Sequence, residues 1–459
     1  MRTVNIWIIS LVVCLLSCTA CAKNDEVEKP APQFKSSLPA DKATDVSAST
    51  AIEIVFDEVI TLAANHGITI NNEAATVKAS FTKLEITATL EGNTHYTISI
   101  PAGAVVNTFN VPLKEPVQFS FTTKEIYVPD SDAMAFVANM GVGWNLGNTL
   151  DTKHADKTYW GNPETTKAMI DVVKAKGFKT LRVPVTWQYN MGVAPEYTIE
   201  QNFLNRVEEV VNYGLDNDMY VIVNIHHDEE WLIPTYAEVD RAKDQLAKVW
   251  RQIAEHLKGY DEKLIFETLN ETRLKGSAEE WTGGTAEGRD CINQFHESAV
   301  NAIRNTGGNN ADRYVMISTY AASTSHEAMD ELQFPASKNL IAAVHSYYPY
   351  KFALAEKDYV SEWGTAQEKA NLDAEFDKVV KAFIDKGIPV VMGEWGNLNR
   401  NNLTERVEHA AYYAKGCIDR GICPVWWDNG NSDHFGILNR NTLQWSHPEI
   451  ADAIIAQMK

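Results

Sequence analysis

From residue 34 to about 124 the chain alternates apolar and polar positions in short runs, among them AIEIVF (51 to 56), LEITATL (84 to 90) and HYTISI (95 to 100), with Gly, Asn and Pro between them. A period of two puts every second side chain on one face, the mark of a half-buried strand, and such strands broken by regular turns specify a small all-β sandwich. After about residue 126 the rhythm changes. Nearly continuous apolar runs at 140–146, 179–185, 220–226, 264–270, 314–319, 340–346, 389–395 and 423–429 alternate with amphipathic stretches at 164–176, 200–217, 240–257, 287–305, 367–386 and 403–420. Strands apolar on both faces are covered by helices, which is the habit of a parallel sheet. Eight of them, with helices between most, predict a closed barrel, so the fold expected is α/β: a (β/α)8 TIM barrel preceded by a small all-β sandwich.

A chain of 459 residues exceeds what one core usually organises, in keeping with two domains. Its net charge of -20 leaves no positive field to recruit phosphates, so nucleic acid is not an expected partner. At the N-terminus Arg2 precedes an apolar run from Val4 to Leu16 and two cysteines, Cys18 and Cys21, a secretory signal pattern too short for a stable span. The expected division is a signal region at 1–21, a tether at 22–33 carrying Pro30 and Pro32, the sandwich at 34–125 and the barrel domain at 126–459. Beyond the signal region Cys291, Cys417 and Cys423 are an odd set that implies no disulfide framework. Buried free thiols are expected, with a Cys417 to Cys423 bridge as the alternative.

Parallel barrels carry their chemistry at the C-terminal ends of the strands. Those ends hold Asn145 on the first run, Arg182 on the second, His226 and His227 on the third, and Asn270 and Glu271 on the fourth. The sixth gives His345 and Tyr347, the seventh Glu394 and Trp395, and the eighth Trp427 and Asp428. A single glutamate at a strand end is more often a solvated or ion-paired group, and a single histidine a satisfied core residue. Their joint placement at one rim points elsewhere. Two facing carboxylates are the minimal equipment for glycosidic bond cleavage, and flat aromatics suit the apolar faces of sugar rings. Reading His226, His227 and Asp228 as metal ligands fails on pattern, because the first strand offers Trp144 and Asn145 and adjacent strand residues point in opposite directions. No Gly-rich phosphate loop or serine elbow is present. No cofactor or catalytic metal is expected.

The motifs GWNLGNTLD (143 to 151), WGNPETTKAMID (160 to 171), VIVNIHHD (221 to 228), LNE (269 to 271), HSYYPY (345 to 350), GEWG (393 to 396) and WWDNG (426 to 430) resemble those of glycoside hydrolase family 5, a retaining family, and most of all its subfamily four. The resemblance covers roughly residues 130 to 459. It implies that Glu271 is the general acid/base and Glu394 the nucleophile, with Arg182 and Tyr347 holding Glu394 ionised. It also implies that Asn270 binds the sugar 2-hydroxyl, His226 and His345 orient sugar and carboxylates, and Trp427 forms the floor. His227, Asn145 and Asp428 are further candidates for substrate binding. Thr272 departs from the family, which often has proline there. Glu271, without a dedicated cation and beside a second negative charge, is expected to have a raised pKa and to begin protonated.

Subfamily members are mainly endo-β-1,4-glucanases, xyloglucanases and licheninases. The resemblance therefore implies a retaining endo-β-1,4-glucanase acting on plant β-glucan polysaccharide, xyloglucan first, then mixed-linkage glucan or cellulose. A mannan- or xylan-active hydrolase is the alternative, and a glycan-binding protein that does not cut would lose the paired acids. Trp160, Trp187, Trp231, Trp281 and Trp363 are open to two readings, distal subsites or core. The sandwich resembles bacterial immunoglobulin-like modules; with no tryptophan and only Tyr96 as a tyrosine between residues 30 and 125, it reads as a spacer. Leu15-Leu16-Ser17-Cys18 resembles a lipobox, with Cys21 as a second candidate, and the acidic stretch from Lys23 to Glu28 resembles a surface-export tag. A monomer held at the cell surface or outer membrane only through a lipid at Cys18 is expected.

Overall fold

A computed structural model describes residues 29–46, 50–88, 90–123, 131–152 and 159–458. The signal region, Cys18, Cys21 and most of the tether lie outside the described residues. The chain divides into two compact units, Met1–Lys124 and Glu125–Lys459.

In the first unit, one sheet orders Phe34–Leu38, Ile52–Phe56, Lys83–Thr87 and Thr76–Ser80, and another orders Ala43–Val46, Val117–Thr123, His95–Ile100, Thr69–Ile70 and Glu73–Ala74. The alternation in the sequence becomes alternation of burial. Ile52, Ile54 and Phe56 point inward, as do Tyr96, Ile98 and Ile100, and these meet Leu84, Phe119 and Phe121 in one core.

In the second unit eight parallel strands close in sequence order: Gly143–Leu146, Thr180–Val183, Tyr220–Asn224, Leu264–Glu267, Val315–Ser318, Leu340–His345, Val390–Trp395 and Ile422–Asp428. Each lies within a predicted apolar run or overlaps one closely. The six anticipated helices form as Lys167–Lys176, Gln201–Leu215, Val239–His256, Ala286–Arg304, Ala366–Ala382 and Leu403–Ile418. The runs extend past the strands because their last residues already belong to the rim.

Period two sorts the barrel side chains. On the second strand Leu181 and Val183 join the layer under the helices, while Arg182 between them points into the barrel. On the fourth, Leu264 and Phe266 face the helices and Ile265 faces the interior with Ile222, Met316, Ile341 and Val391. The helix Ser131–Met140, which the pattern did not reveal, packs Phe136, Val137 and Met140 against that interior cluster, with Phe136 stacked on Tyr314. The helix Pro448–Ile455 was also missed. Cys291, Cys417 and Cys423 are buried free thiols, so the alternative bridge is not formed.

Candidate active site

Glu394 owes its aim to a bulge. Strand seven spends three steps from Met392 to Trp395 where strand eight spends two from Pro424 to Trp426, and two from Met392 to Glu394 against one from Val344 to His345 on strand six. The extra residue re-aims the next side chain. Gly393 is required beside it, since a Cβ there would lie 2.9 Å from His345 Nε2.

The Glu394 carboxylate is 5% exposed and is gripped on both oxygens. Arg182 Nη1 donates to Oε1 at 2.8 Å and the Tyr347 hydroxyl to Oε2 at 2.9 Å. Burial and Glu394 hold the Tyr347 phenol well above its usual range, so it remains a donor. The same guanidinium meets a residue the sequence reading passed over. Glu267, fully buried, accepts from Arg182 Nε at 2.7 Å and from Nη2 at 3.2 Å. Its signal was a glutamate inside the apolar run LIFETLN, where a charge must have a buried partner. Asn270 Oδ1 takes a further Nη2 bond at 2.8 Å, which turns its Nδ2 toward His226 Nε2.

Glu271, its side chain 21% exposed, meets the same His345 nitrogen that Glu394 approaches. His345 Nδ1 lies 2.9 Å from Glu271 Oε1 and 3.7 Å from Glu394 Oε2, and donor atoms of the three residues all fall within 4.8 Å of one another. Burial works against charge on both carboxyls. At Glu271 the His345 hydrogen bond and charge, aided by Arg273 and His227, overcome burial and hold the carboxyl below its usual range. At Glu394 burial outweighs His345 and Arg182, and the carboxyl stands above its usual range. Burial disfavours charge on His345 too, but the two glutamates raise it. The expected raised pKa of Glu271 is thus corrected. His345 is the cation that Glu271 was thought to lack, and the mobile proton of the free site belongs to the trio.

Trp427 lines the opening beside them, its indole parallel to the His226 ring with centroids 5.9 Å apart. A Cβ on Gly147 would come within 2.7 Å of the indole, which explains the glycine of the GNT turn. Asn224 Nδ2 lies 3.1 Å from both His226 Nδ1 and Glu267 Oε2, tying the histidine to the Arg182 network. His227 is part-exposed, with Nδ1 3.1 Å from Glu229 Oε1 and its ring 6.2 Å from Trp160.

Two candidates for substrate binding are not at the surface of the site. Asn145 is 0% exposed; its Nδ2 donates to the Gly393 carbonyl at 2.9 Å and its Oδ1 accepts from Arg182 at 3.0 Å, so it seats Arg182. Asp428 is 0% exposed and accepts from the Gly430, Ile437 and Leu438 amides, the Trp144 indole and Arg440, fixing the loop after strand eight. Neither has an atom free to meet a sugar. Of the five open tryptophans, Trp187, Trp231 and Trp363 are core, whereas Trp160 and Trp281 stand exposed on rim loops. The donors Asp151, His226 and His227 also cluster, but the Asp151 oxygens already accept from the Asn148 and Thr149 amides.

Residues 140–433 match the family model for cellulase, glycosyl hydrolase family 5. The chain belongs to that family. Residues 28–123 of this glycoside hydrolase match the bacterial Ig-like domain model. Endoglucanase B of Clostridium cellulovorans is 47% identical over 342 residues, which are 73% of this chain and 78% of that protein. Cellulase/esterase CelE of Acetivibrio thermocellus is 47% identical over 71% of this chain, a match spanning only 40% of the relative. Among solved structures, the subfamily-four enzyme ZgEngA is 56% identical with a TM-score of 0.69, over 70% of this chain and 98% of that one. A xyloglucan-specific endo-β-1,4-glucanase from a metagenomic library, in complex with cellotriose, is 38% identical with a TM-score of 0.69, over 71% of this chain and 99% of that one.

Proposed function

We propose that this family 5 hydrolase is a retaining endo-β-1,4-glucanase whose first substrate is xyloglucan, followed by mixed-linkage glucan and cellulose. The observation that carries the reading is the short span between its acids. Glu271 and Glu394 bring oxygens within 4.8 Å, in keeping with the roughly 5 to 5.5 Å between carboxyl groups of retaining sites and not the roughly 6.5 to 9.5 Å that admits an inverting water. Glu394, gripped by Arg182 Nη1 and the Tyr347 hydroxyl, attacks in its carboxylate form the anomeric carbon of a glucosyl ring lying on Trp427. His345 Nδ1, 2.9 Å from Glu271, passes its proton to that carboxylate, and Glu271 hands it on to the departing oxygen and is left ionised. Once the glycosyl-enzyme forms, the charge of Glu394 is gone, and Glu271 draws a proton from water to complete hydrolysis. The family resemblance and the endoglucanase, lichenase and xyloglucanase names of similar proteins support a glucan backbone. Trp160 and Trp281, on different rim loops, suit a polymer bound across the opening.

Reducing-sugar release on xyloglucan, mixed-linkage glucan, a soluble cellulose, mannan and xylan, with product sizing, tests the assignment. Release of short oligosaccharides, fastest from xyloglucan, with the β configuration kept, is expected. Exclusive action on mannan or xylan, inverted products, or binding without cleavage would overturn it. For placement, the lipobox-like sequence supports a surface lipoprotein anchored at Cys18, with the Ig-like unit as spacer. Incorporation of a labelled lipid precursor that persists when both Cys18 and Cys21 are replaced would refute the anchor.

A further inference from the structure

Arg182 is the buried cation that Glu394 leans on, yet most of its fork is turned elsewhere. Nε at 2.7 Å and Nη2 at 3.2 Å go to Glu267, and Nη1 alone, at 2.8 Å, goes to Glu394. The guanidinium is 0% exposed, so water does not screen either pair. Asn145 and Asn270 complete its hydrogen bonds, and Asn224 holds Glu267 from the third strand. Packing alone does not call for Glu267, because a buried ion pair is seldom more stabilising than apolar residues of like size.

We propose that Glu267 is a positioning residue for the nucleophile: it clamps one edge of Arg182 so that a single N–H reaches Glu394, and its charge divides the cation's hold between two carboxylates. A carboxylate that owned the whole guanidinium would be a weaker base, slower to attack and easier to expel. Sharing Arg182 keeps Glu394 basic enough for the first displacement while still letting it leave in the second. The groups that face this unit are Arg182 on strand two, Asn224 on and His226 after strand three, Glu271 after strand four, His345 and Tyr347 on and after strand six, and Glu394 on strand seven.

The inference rests on Glu394 being the nucleophile, which mass-spectrometric trapping of a 2-fluoro-glucoside adduct on Glu394 of the unaltered enzyme tests separately. The test itself compares Glu267→Gln and Glu267→Asp with the parent, each first shown to be folded by thermal unfolding. For Glu267→Gln the acid limb of kcat/KM is expected to move down by about one pH unit, since an opposite charge no longer shared is worth about 1 to 3 units. kcat on polysaccharide should fall about tenfold or more, while kcat on an aryl glycoside with a good leaving group, where the second displacement limits, should hold or rise. Glu267→Asp keeps the charge and should leave the acid limb in place. A folded Glu267→Gln with an unmoved acid limb, or with equal losses on both substrates, would overturn the proposal, and either outcome is what a purely structural Glu267 would give.

Discussion

Stability in acid follows from a buried imidazole whose protonation the surrounding atoms oppose. His409, on the helix Leu403–Ile418, is fully buried. Its Nε2 donates to the Tyr348 carbonyl at 3.0 Å, and its Nδ1 accepts from Asn397 Nδ2 at 3.1 Å. The amide cannot flip to help, because Asn397 Oδ1 already accepts from Arg406 Nε at 2.9 Å. A second proton would set N–H against N–H in a dry site, and burial pushes His409 down to about 4. An unfolded histidine titrates near 6.5, so between those values the unfolded chain binds the proton and the folded chain does not. The contribution is therefore fully present above about pH 6.5 and is lost as pH falls toward 4. At about 1.4 kcal/mol per unit, a gap of about 2.5 units amounts to roughly 3 kcal/mol below pH 4 and about 2 kcal/mol at pH 5. The assay is urea unfolding from pH 7.5 to 5 followed by tryptophan fluorescence, which reads the barrel because the Ig-like unit carries no tryptophan. Unaltered protein should lose about 2 kcal/mol more over that range than His409→Gln, which cannot titrate. Parallel profiles for the two proteins would refute the reasoning.

Glu394→Ala should abolish turnover on every substrate, whereas Glu271→Ala should spare aryl glycosides with good leaving groups while losing roughly 10²- to 10⁴-fold on polysaccharide; equal losses would contradict the division of roles. Tyr347→Phe removes one donor from Glu394, worth about 1.5 to 3 kcal/mol for a charged acceptor, so steady-state kinetics should show kcat down about 10- to 100-fold with KM little changed. Gly147→Ala drives a methyl toward Trp427, with 2.7 Å available, and should raise KM for polysaccharide several-fold; unaltered binding in isothermal titration would remove Trp427 from the floor. Activity should persist in excess chelator, and its loss with recovery on adding zinc would reinstate a metal at Asp151, His226 and His227.

The order and kind of the elements were written locally. A period of two set out the sandwich strands, nearly continuous apolar runs the eight barrel strands, and periods of three to four the six helices, because its burial pattern is a property each segment carries by itself. The motifs marked Glu271 and Glu394 as well, since the side chains at strand ends are fixed by where the strands stop. Other features depended on distance between segments far apart in the chain. No periodicity could say that strand seven bulges at Glu394, that Glu267 competes for Arg182, or that His345 stands between both acids and reverses the expected charge state of Glu271. Asn145 and Asp428 read as rim groups until closure of the barrel buried them among their neighbours' amides. A sequence tells which side chains reach the interior. Which of them share a proton or a cation is settled only when the barrel closes and low-dielectric surroundings make each partner count.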